Sequence, residues 1–263
     1  MKQYPTGVPA LERALRIIRH LSRRGAGNAS AQELQQTLRV PRVSLYRLLH
    51  VLTENGFVTQ DADGTYRLGT AVMALGFYAR ETSPLVAKAT PLLRQITQET
   101  RQMSELVAAT HGWQLITLEV WQAERTPLRL RARAGMVFGL NAHTAHGLCH
   151  LSFGSDRRLA EYMKLGRTEA GRSMLGINSA PSPRLPDQCA LWRRLGYAWL
   201  RQSHPNGNAR LAVPVFDPHS ATPRLAATLC VSCDSNLLNA LQAASWAPIL
   251  QTHARELERR LAK

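Results

Sequence analysis

Cysteine, acidic residues and long apolar runs are all scarce in this chain of 263 residues. The four cysteines stand at irregular spacing and make no disulfide framework, which favours a reducing compartment. No run of about 18 apolar residues occurs, so we expect no transmembrane helix. The first residues also lack the apolar core of a secretory signal. Together these absences predict a cytoplasmic protein that has no membrane partner.

Signatures of common enzymes are missing as well. The sequence contains no Gly-x-Ser-x-Gly motif, no Walker loop and no His-Glu-x-x-His motif. A serine and a histidine brought together only by the fold would have no such signature, and nothing in the sequence indicates that pair. We therefore expect no enzymatic activity and no cofactor.

Basic residues, in contrast, are abundant. The chain has 33 Lys and Arg residues against 18 acidic ones, a formal net charge of +15. Residues 1–69 contain ten of these basic residues and five acidic ones, so the excess is spread over the whole chain. A basic surface attracts phosphates, but charge alone does not separate DNA from RNA or from an acidic protein surface. The charge is therefore supporting evidence only.

The amino-terminal part shows the pattern of a helix-turn-helix. A first helix is predicted over residues 9–22, with Leu11, Leu15, Ile18 and Leu21 as its apolar stripe. Ser30-Ala-Gln-Glu33 is a capping box that opens a short helix ending at Leu38. After the turn at residues 39–41, Pro41 begins a second, arginine-bearing helix that ends at Asn55-Gly56. Two short helices around a tight turn are typical of DNA-binding proteins.

A hairpin and a further helix follow. Two β-prone runs, 57–60 and 65–68, flank an Asp/Gly turn and would form a wing. The apolar periodicity over residues 70–80 predicts a helix that links two domains. We place the DNA-binding domain at residues 1–69, the linker at 70–84 and a second domain at 85–263.

The second domain mixes helices and strands, which indicates one α/β sensor domain and an overall α+β class. Strands are predicted at 106–110, 115–120, 128–133, 211–216 and 225–232, and helices at 85–100, near 145–153, near 189–195 and through 261.

Several segments, in this order, resemble the IclR family of transcriptional regulators. They are Arg42-Val-Ser-Leu-Tyr-Arg-Leu-Leu49, 52–58, Gly64-Thr-Tyr-Arg-Leu-Gly69, Thr144-Ala-His-Gly147, Leu195-Gly-Tyr197 and Leu211-Ala-Val-Pro-Val215. The resemblance implies a winged helix-turn-helix, a linker helix and a GAF-like effector-binding domain in a homodimer or homotetramer. It also implies control of a catabolic operon by a small organic acid, with double-stranded operator DNA as partner and RNA polymerase as a further candidate partner.

Two details of the resemblance bear on the effector. Leu148 stands where many members of the family have lysine. In this feature the chain resembles members that regulate aromatic-acid degradation. Gly139 lies near a position that is often proline, and residues 198–203 lack the acid often found after Gly-Tyr. These departures surround the expected pocket and bear on the identity of the effector rather than on the fold.

The second helix of the helix-turn-helix, which would be the recognition helix, and the wing carry the candidate DNA contacts. Arg47 would donate two hydrogen bonds to guanine, whereas Arg42 and Arg67 would hold phosphates. The apolar stripe of this helix consists of Leu45, Leu48, Leu49 and Leu52. The remaining candidates lie opposite this leucine stripe or on its flanks, and they are Val43, Ser44, Tyr46 and His50. The alternative is a solvated arginine face on a plain helical hairpin.

The candidate effector contacts come from three segments. By family position, one wall of the pocket would be formed by the start of a helix, which comprises Ala142, His143, Thr144 and Ala145. The free backbone N–H groups at a helix start suit an anion. Asn208 and Arg210 precede a strand, and Arg210 would grip a carboxylate. Cys230 and Ser232 project from one face of a later strand. The alternative to these pocket roles is that Arg210 is an exposed loop residue and that Cys230 is a core residue, and the sequence favours neither.

Two clusters contain metal-ligand types. They are His143-x-x-His146-x-x-Cys149-His150 and Cys230-x-x-Cys233. Neither has the spacing of a structural zinc site, so core or pocket roles are favoured and no metal is expected. A redox- or metal-responsive regulator on the same scaffold remains the alternative to an effector-controlled one, and a DNA-bound enzyme is a third hypothesis.

Overall fold

The computed structural model describes residues 7–23, 28–110, 112–122, 132–201 and 208–263. The chain divides into two compact units, Met1–Thr82 and Ser83–Lys263. Each unit has its own hydrophobic core.

The first unit is a helical domain with a small antiparallel sheet. Its elements are α1 (Pro9–Arg23), β1 (Asn28–Ala29), α2 (Ala31–Leu38), α3 (Arg42–Glu54), β2 (Val58–Gln60), β3 (Tyr66–Leu68) and α4 (Thr70–Glu81). The strand order is β1-β3-β2, and β2 and β3 form the predicted wing.

The two helices of the helix-turn-helix begin and end close to the predicted residues. Ser30 caps α2, because its Oγ accepts a hydrogen bond from the backbone N–H of Glu33 at 3.2 Å. Arg39 ends α2 in the left-handed conformation with φ 50°. Pro41 is the N-cap of α3 rather than its first residue. Three leucines of the predicted stripe are buried and fix the orientation of α3, namely Leu45, Leu49 and Leu52.

The predicted stripe of α1 is wrong at its first half. Leu11 and Leu15 are 56% and 40% exposed, whereas Ile17 and Leu21 are buried. Leu15 precedes Ile17 by two residues, which turns it about 200° around the helix and away from the core. The buried side of α1 therefore includes Ile17, which is not part of the predicted stripe.

The second unit is built on a six-stranded antiparallel sheet in the order β6-β5-β4-β9-β8-β7. Its elements are α5 (Pro84–Thr100), β4 (Met103–Ala109), β5 (Gln114–Trp121), β6 (Val137–Gly139), α6 (Ala145–Phe153), α7 (Asp156–Leu165), α8 (Glu169–Leu175), α9 (Leu185–Leu195), β7 (Ala198–Leu200), β8 (Asn208–Phe216), β9 (Leu225–Asp234) and α10 (Ala240–Leu261). Helices α5 and α10 share one core cluster with the sheet, and α6, α7 and α9 share the other.

Four elements of this unit are absent from the sequence predictions, namely β6, α7, α8 and β7. The strand expected at 128–133 falls largely on residues 123–131, which lie outside the described residues.

The strand register places polar groups on the face that α6 covers. Glu105 pairs with Cys230, and Ser232 pairs with Arg210 in the neighbouring strand. Because side chains alternate along a strand, Cys230 and Ser232 share one face. Cys233 belongs to the core cluster of the opposite face.

Candidate functional site

The solvent-facing side of α3 carries the residues that were predicted to contact DNA. Val43 is 67% exposed and Tyr46 is 46% exposed. Arg42, Arg47 and His50 are also exposed, whereas Ser44 is half-buried. Because the leucines on the opposite side of α3 are buried, this side presents two arginines, Arg42 and Arg47, to solvent together with the other candidates.

Two cationic candidates already have local partners. The Arg42 guanidinium lies 5.8 Å from the centre of the Tyr46 ring. In the wing, Arg67 Nε donates to Asp61 Oδ1 at 2.8 Å. This ion pair orients Arg67 and leaves less net charge at the wing than the arginine alone would give.

A cavity of about 380 Å³ lies within the second unit. That volume is in the range of small-molecule sites in proteins. Its lining combines polar groups with apolar ones and consists of Glu105, Thr117, Ala132, Met136, Phe138, Asn141, Thr144, His146, Asn208 and Arg210.

A buried ion pair forms part of the cavity wall. Arg210 Nε donates to Ser232 Oγ at 2.8 Å and lies 3.5 Å from Glu105 Oε1. Ser232 Oγ in turn donates to Glu105 Oε1 at 2.5 Å. Burial would raise the pKa of Glu105, but Arg210, His146 and Ser232 outweigh it and lower the pKa to about 2. Glu105 is therefore a carboxylate at neutral pH.

Sequence reasoning missed Glu105. The available signal was one acidic residue within the mostly apolar strand Met103–Ala109. Buried acids are rare unless they are paired, so such an acid indicates a partner elsewhere in the fold. The partner, Arg210, is 105 residues further along the chain, and only the sheet register brings the two together.

Helix α6 contains two buried histidines, and one of them, His146, lies beside this pair. His146 is 1% exposed, and its Nε2 lies 3.7 Å from Glu105 Oε2. Burial lowers the pKa of His146 despite the neighbouring carboxylate. Burial, together with His146 and Arg158, lowers the pKa of His150 to about 3. Burial therefore favours the neutral form of both rings.

The predicted effector residues occupy different positions around the cavity. Thr144, Asn208 and Arg210 line it. Ser232 reaches it through its hydrogen bond to Arg210. The rest do not line it: Ala145 and Cys230 are buried in the core, Ala142 is half-buried and its N–H donates to Tyr162 Oη at 3.1 Å, and His143 is exposed.

The start of α6 is tightly built. Thr144 Oγ1 accepts a hydrogen bond from the Gly147 N–H at 3.0 Å, so one of the free N–H groups is already satisfied. A Cβ on Gly147 would lie 1.7 Å from the Asn141 carbonyl oxygen. This close approach explains the glycine of the Thr-Ala-His-Gly segment.

Two family models match the chain, one mainly in each of its two units. Residues 10–62 match the IclR helix-turn-helix domain, and residues 78–259 match the carboxy-terminal domain of bacterial IclR transcriptional regulators. The chain belongs to the IclR family. It is therefore a DNA-binding transcriptional regulator and not an enzyme, and its fold is the predicted α+β arrangement.

Individual IclR-family proteins agree with this assignment. The DNA-binding transcriptional repressor YiaJ of Escherichia coli is 28% identical over 225 residues, which cover 84% of this chain and 78% of that protein. An IclR regulator from Alicyclobacillus acidocaldarius has the same fold, with a TM-score of 0.79, 20% identity and coverage of 97% and 99% of the two chains.

A third relative was solved with a small molecule. It is an IclR homologue from Microbacterium hydrocarbonoxydans in complex with 4-hydroxybenzoate, with a TM-score of 0.69, 17% identity and coverage of 96% and 99% of the two chains.

Within the described residues of the present chain, no helix is long and apolar enough to cross a membrane.

Proposed function

We propose that this IclR-family regulator reads a specific operator through α3 and the wing, under the control of a small organic acid bound in the 380 Å³ cavity. The observation that carries the effector half of the proposal is the position of Arg210, whose guanidinium lines a cavity of ligand size. Such a regulator would act on a catabolic operon in the cytoplasm, with RNA polymerase as a further candidate partner.

The composition of the wall favours one chemical class of effector. Arg210 can hold a carboxylate, with the Asn208 amide as a further hydrogen-bond donor. The Glu105 carboxylate beside Arg210 already neutralises one charge, so a single carboxylate fits better than two. Phe138 and Met136 give an apolar surface that suits a ring. We therefore favour an aromatic monocarboxylate, the class of the ligand in the Microbacterium homologue.

Ligand binding is testable by isothermal titration calorimetry with 4-hydroxybenzoate and a panel of aromatic and aliphatic acids. An acid that binds the native chain also raises its thermal midpoint by mass action. Asn208→Ala is expected to weaken binding about fivefold, since one hydrogen bond contributes roughly 1 kcal/mol. Asn236→Ala, which removes an exposed asparagine outside the cavity lining, should bind like the unaltered chain. Equal affinity of Asn208→Ala and the unaltered chain would contradict this assignment of the site.

Self-association is the second part of the proposal. Helix α4 has no buried residue, and four of its large apolar side chains are 56–68% exposed, namely Met73, Leu75, Phe77 and Tyr78. Exposed apolar surface on this scale marks an interaction site. We propose that α4 contributes to a homodimer, or to the dimers of a homotetramer, and that two reading heads favour a partly palindromic operator.

Sedimentation velocity tests this interface. Phe77→Glu is expected to shift the full chain toward smaller species, because a charge would be buried at the contact. Leu241→Glu is the matched control, since Leu241 is an 84% exposed leucine on α10. An unchanged distribution for Phe77→Glu, or the same shift for both variants, would exclude α4 as the specific contact.

A further inference from the structure

Three potential metal ligands of different types meet beside the cavity. They are Glu105 on β4, His146 on α6 and Cys230 on β9, and one ligand atom from each lies within 4.8 Å of the other two. All three side chains are buried. No stretch of sequence contains more than one of them, so spacing motifs could not reveal the cluster.

The His146 ring is the second, independent observation. Neither of its ring nitrogens has a hydrogen-bond partner among the residues that the structure describes. Nε2 lies 3.7 Å from Glu105 Oε2, which is too long for a hydrogen bond. Two ligand atoms on a tetrahedral zinc ion are about 3.4 Å apart, given bonds of about 2.0–2.1 Å. The separation is therefore closer to that of two ligands of one ion than to that of a donor and its acceptor.

The two carboxylate oxygens of Glu105 have different surroundings. Oε1 accepts the hydrogen bond from Ser232 and faces Arg210, whereas Oε2 faces His146. Arg210 and Ser232 therefore hold the carboxylate from one side and leave the other oxygen for a ligand. Outer partners of this kind orient metal ligands in known sites.

We propose that Glu105, His146 and Cys230 bind one divalent ion of the zinc class. A nitrogen, a sulfur and a carboxylate oxygen suit Zn²⁺ or Co²⁺ and disfavour Mg²⁺ and Ca²⁺, which prefer oxygen alone. On binding, the Cys230 thiol releases its proton to solvent and its sulfur bonds the ion. This cluster differs from those considered in the sequence, because His143 is exposed and Cys233 lies on the opposite face of β9.

The net charge of the site indicates which ligand would occupy the fourth position. The ion, the Cys230 thiolate, Glu105 and Arg210 together carry a net charge of +1. Glu105 and His146 both line the cavity, so the fourth position would face it. A carboxylate at that position would bring the net charge to zero. Binding of a carboxylate effector to the ion rests on the proposed function, whereas the metal site itself does not.

Cobalt binding to the full chain tests the site. After treatment with a chelator and its removal, titration with Co²⁺ is expected to produce a thiolate-to-cobalt charge-transfer band that saturates at one ion per chain. Zn²⁺ should abolish the band by competition. Cys230→Ser should lose the band and bind Zn²⁺ at least about 10–100-fold more weakly, the loss that even outer-shell changes produce. Cys233→Ser removes a buried cysteine of the same strand and should keep the band.

Failure of the metal proposal is distinguishable from failure of the effector proposal. The unaltered chain decides the first point, because absence of a saturable cobalt band would overturn the site whether or not any variant folds. A band that persists in Cys230→Ser, or that disappears in Cys233→Ser alone, would overturn the assignment of the ligands. Calorimetry with 4-hydroxybenzoate on metal-free chain then tests effector binding separately.

Discussion

Replacing Arg47 with alanine is expected to weaken sequence-specific operator binding strongly and to leave the fold intact. Arg47 is exposed on α3, while the leucines on the opposite side of the helix form the core contacts. A bidentate contact between an arginine and guanine contributes about 1–3 kcal/mol of discrimination. Two reading heads would double this, so specific affinity should fall by a factor of about 30 to about 10⁴.

Fluorescence anisotropy with an operator selected from a randomised DNA pool measures this loss against non-specific DNA. Arg42→Ala, a proposed phosphate contact, should instead weaken both DNAs alike and reduce the salt slope by about 1 per head. Arg19→Ala, on the exposed side of α1, should change neither affinity. Unchanged discrimination between operator and non-specific DNA in Arg47→Ala would disprove the assignment.

Replacing Arg210 with methionine is expected to destabilise the second unit by about 3–5 kcal/mol. The cause is Glu105, which is 1% exposed and would lose the cation that compensates its charge. Removing both charges should cost far less, because no uncompensated charge then stays buried. The double variant Arg210→Met with Glu105→Gln should therefore recover most of the stability.

Urea unfolding in a metal chelator, followed by tryptophan fluorescence, measures this effect in the full chain. All five tryptophans lie at residue 113 or beyond, so the signal reports on the second unit alone. Arg224→Met is the matched control, because it breaks an ion pair whose arginine is 74% exposed. We expect a far smaller loss there. Similar losses for Arg210→Met and Arg224→Met, or no recovery in the double variant, would show that the buried pair does not stabilise the unit.

The helix-turn-helix could be predicted from sequence because its signals are local. The cap at Ser30, the turn before Pro41 and the leucines of α3 lie within a few residues of one another. The first half of α1 was misjudged because two leucines outside the core produced a competing stripe. Periodicity shows that a helix has an apolar face, but only packing determines which of two faces is buried.

The cavity could be predicted only in part. Thr144, Asn208 and Arg210 followed from family position, and they line it. The ion pair of Glu105 with Arg210 and the group formed with His146 and Cys230 depend on how β4, β9 and β8 are aligned and on how α6 covers them. Such long-range register has no counterpart in local spacing, so these contacts required the structure.

The most direct test of the central claim is the operator affinity of the full chain with and without saturating 4-hydroxybenzoate, or another acid that calorimetry shows to bind. If the cavity controls DNA reading, the acid should change the dissociation constant for the operator by about 5–150-fold, a typical coupling between two sites. In Asn208→Ala, the acid concentration that produces half of this change should be about fivefold higher. Identical operator affinity with and without a bound acid would contradict the account of this protein as an effector-controlled regulator.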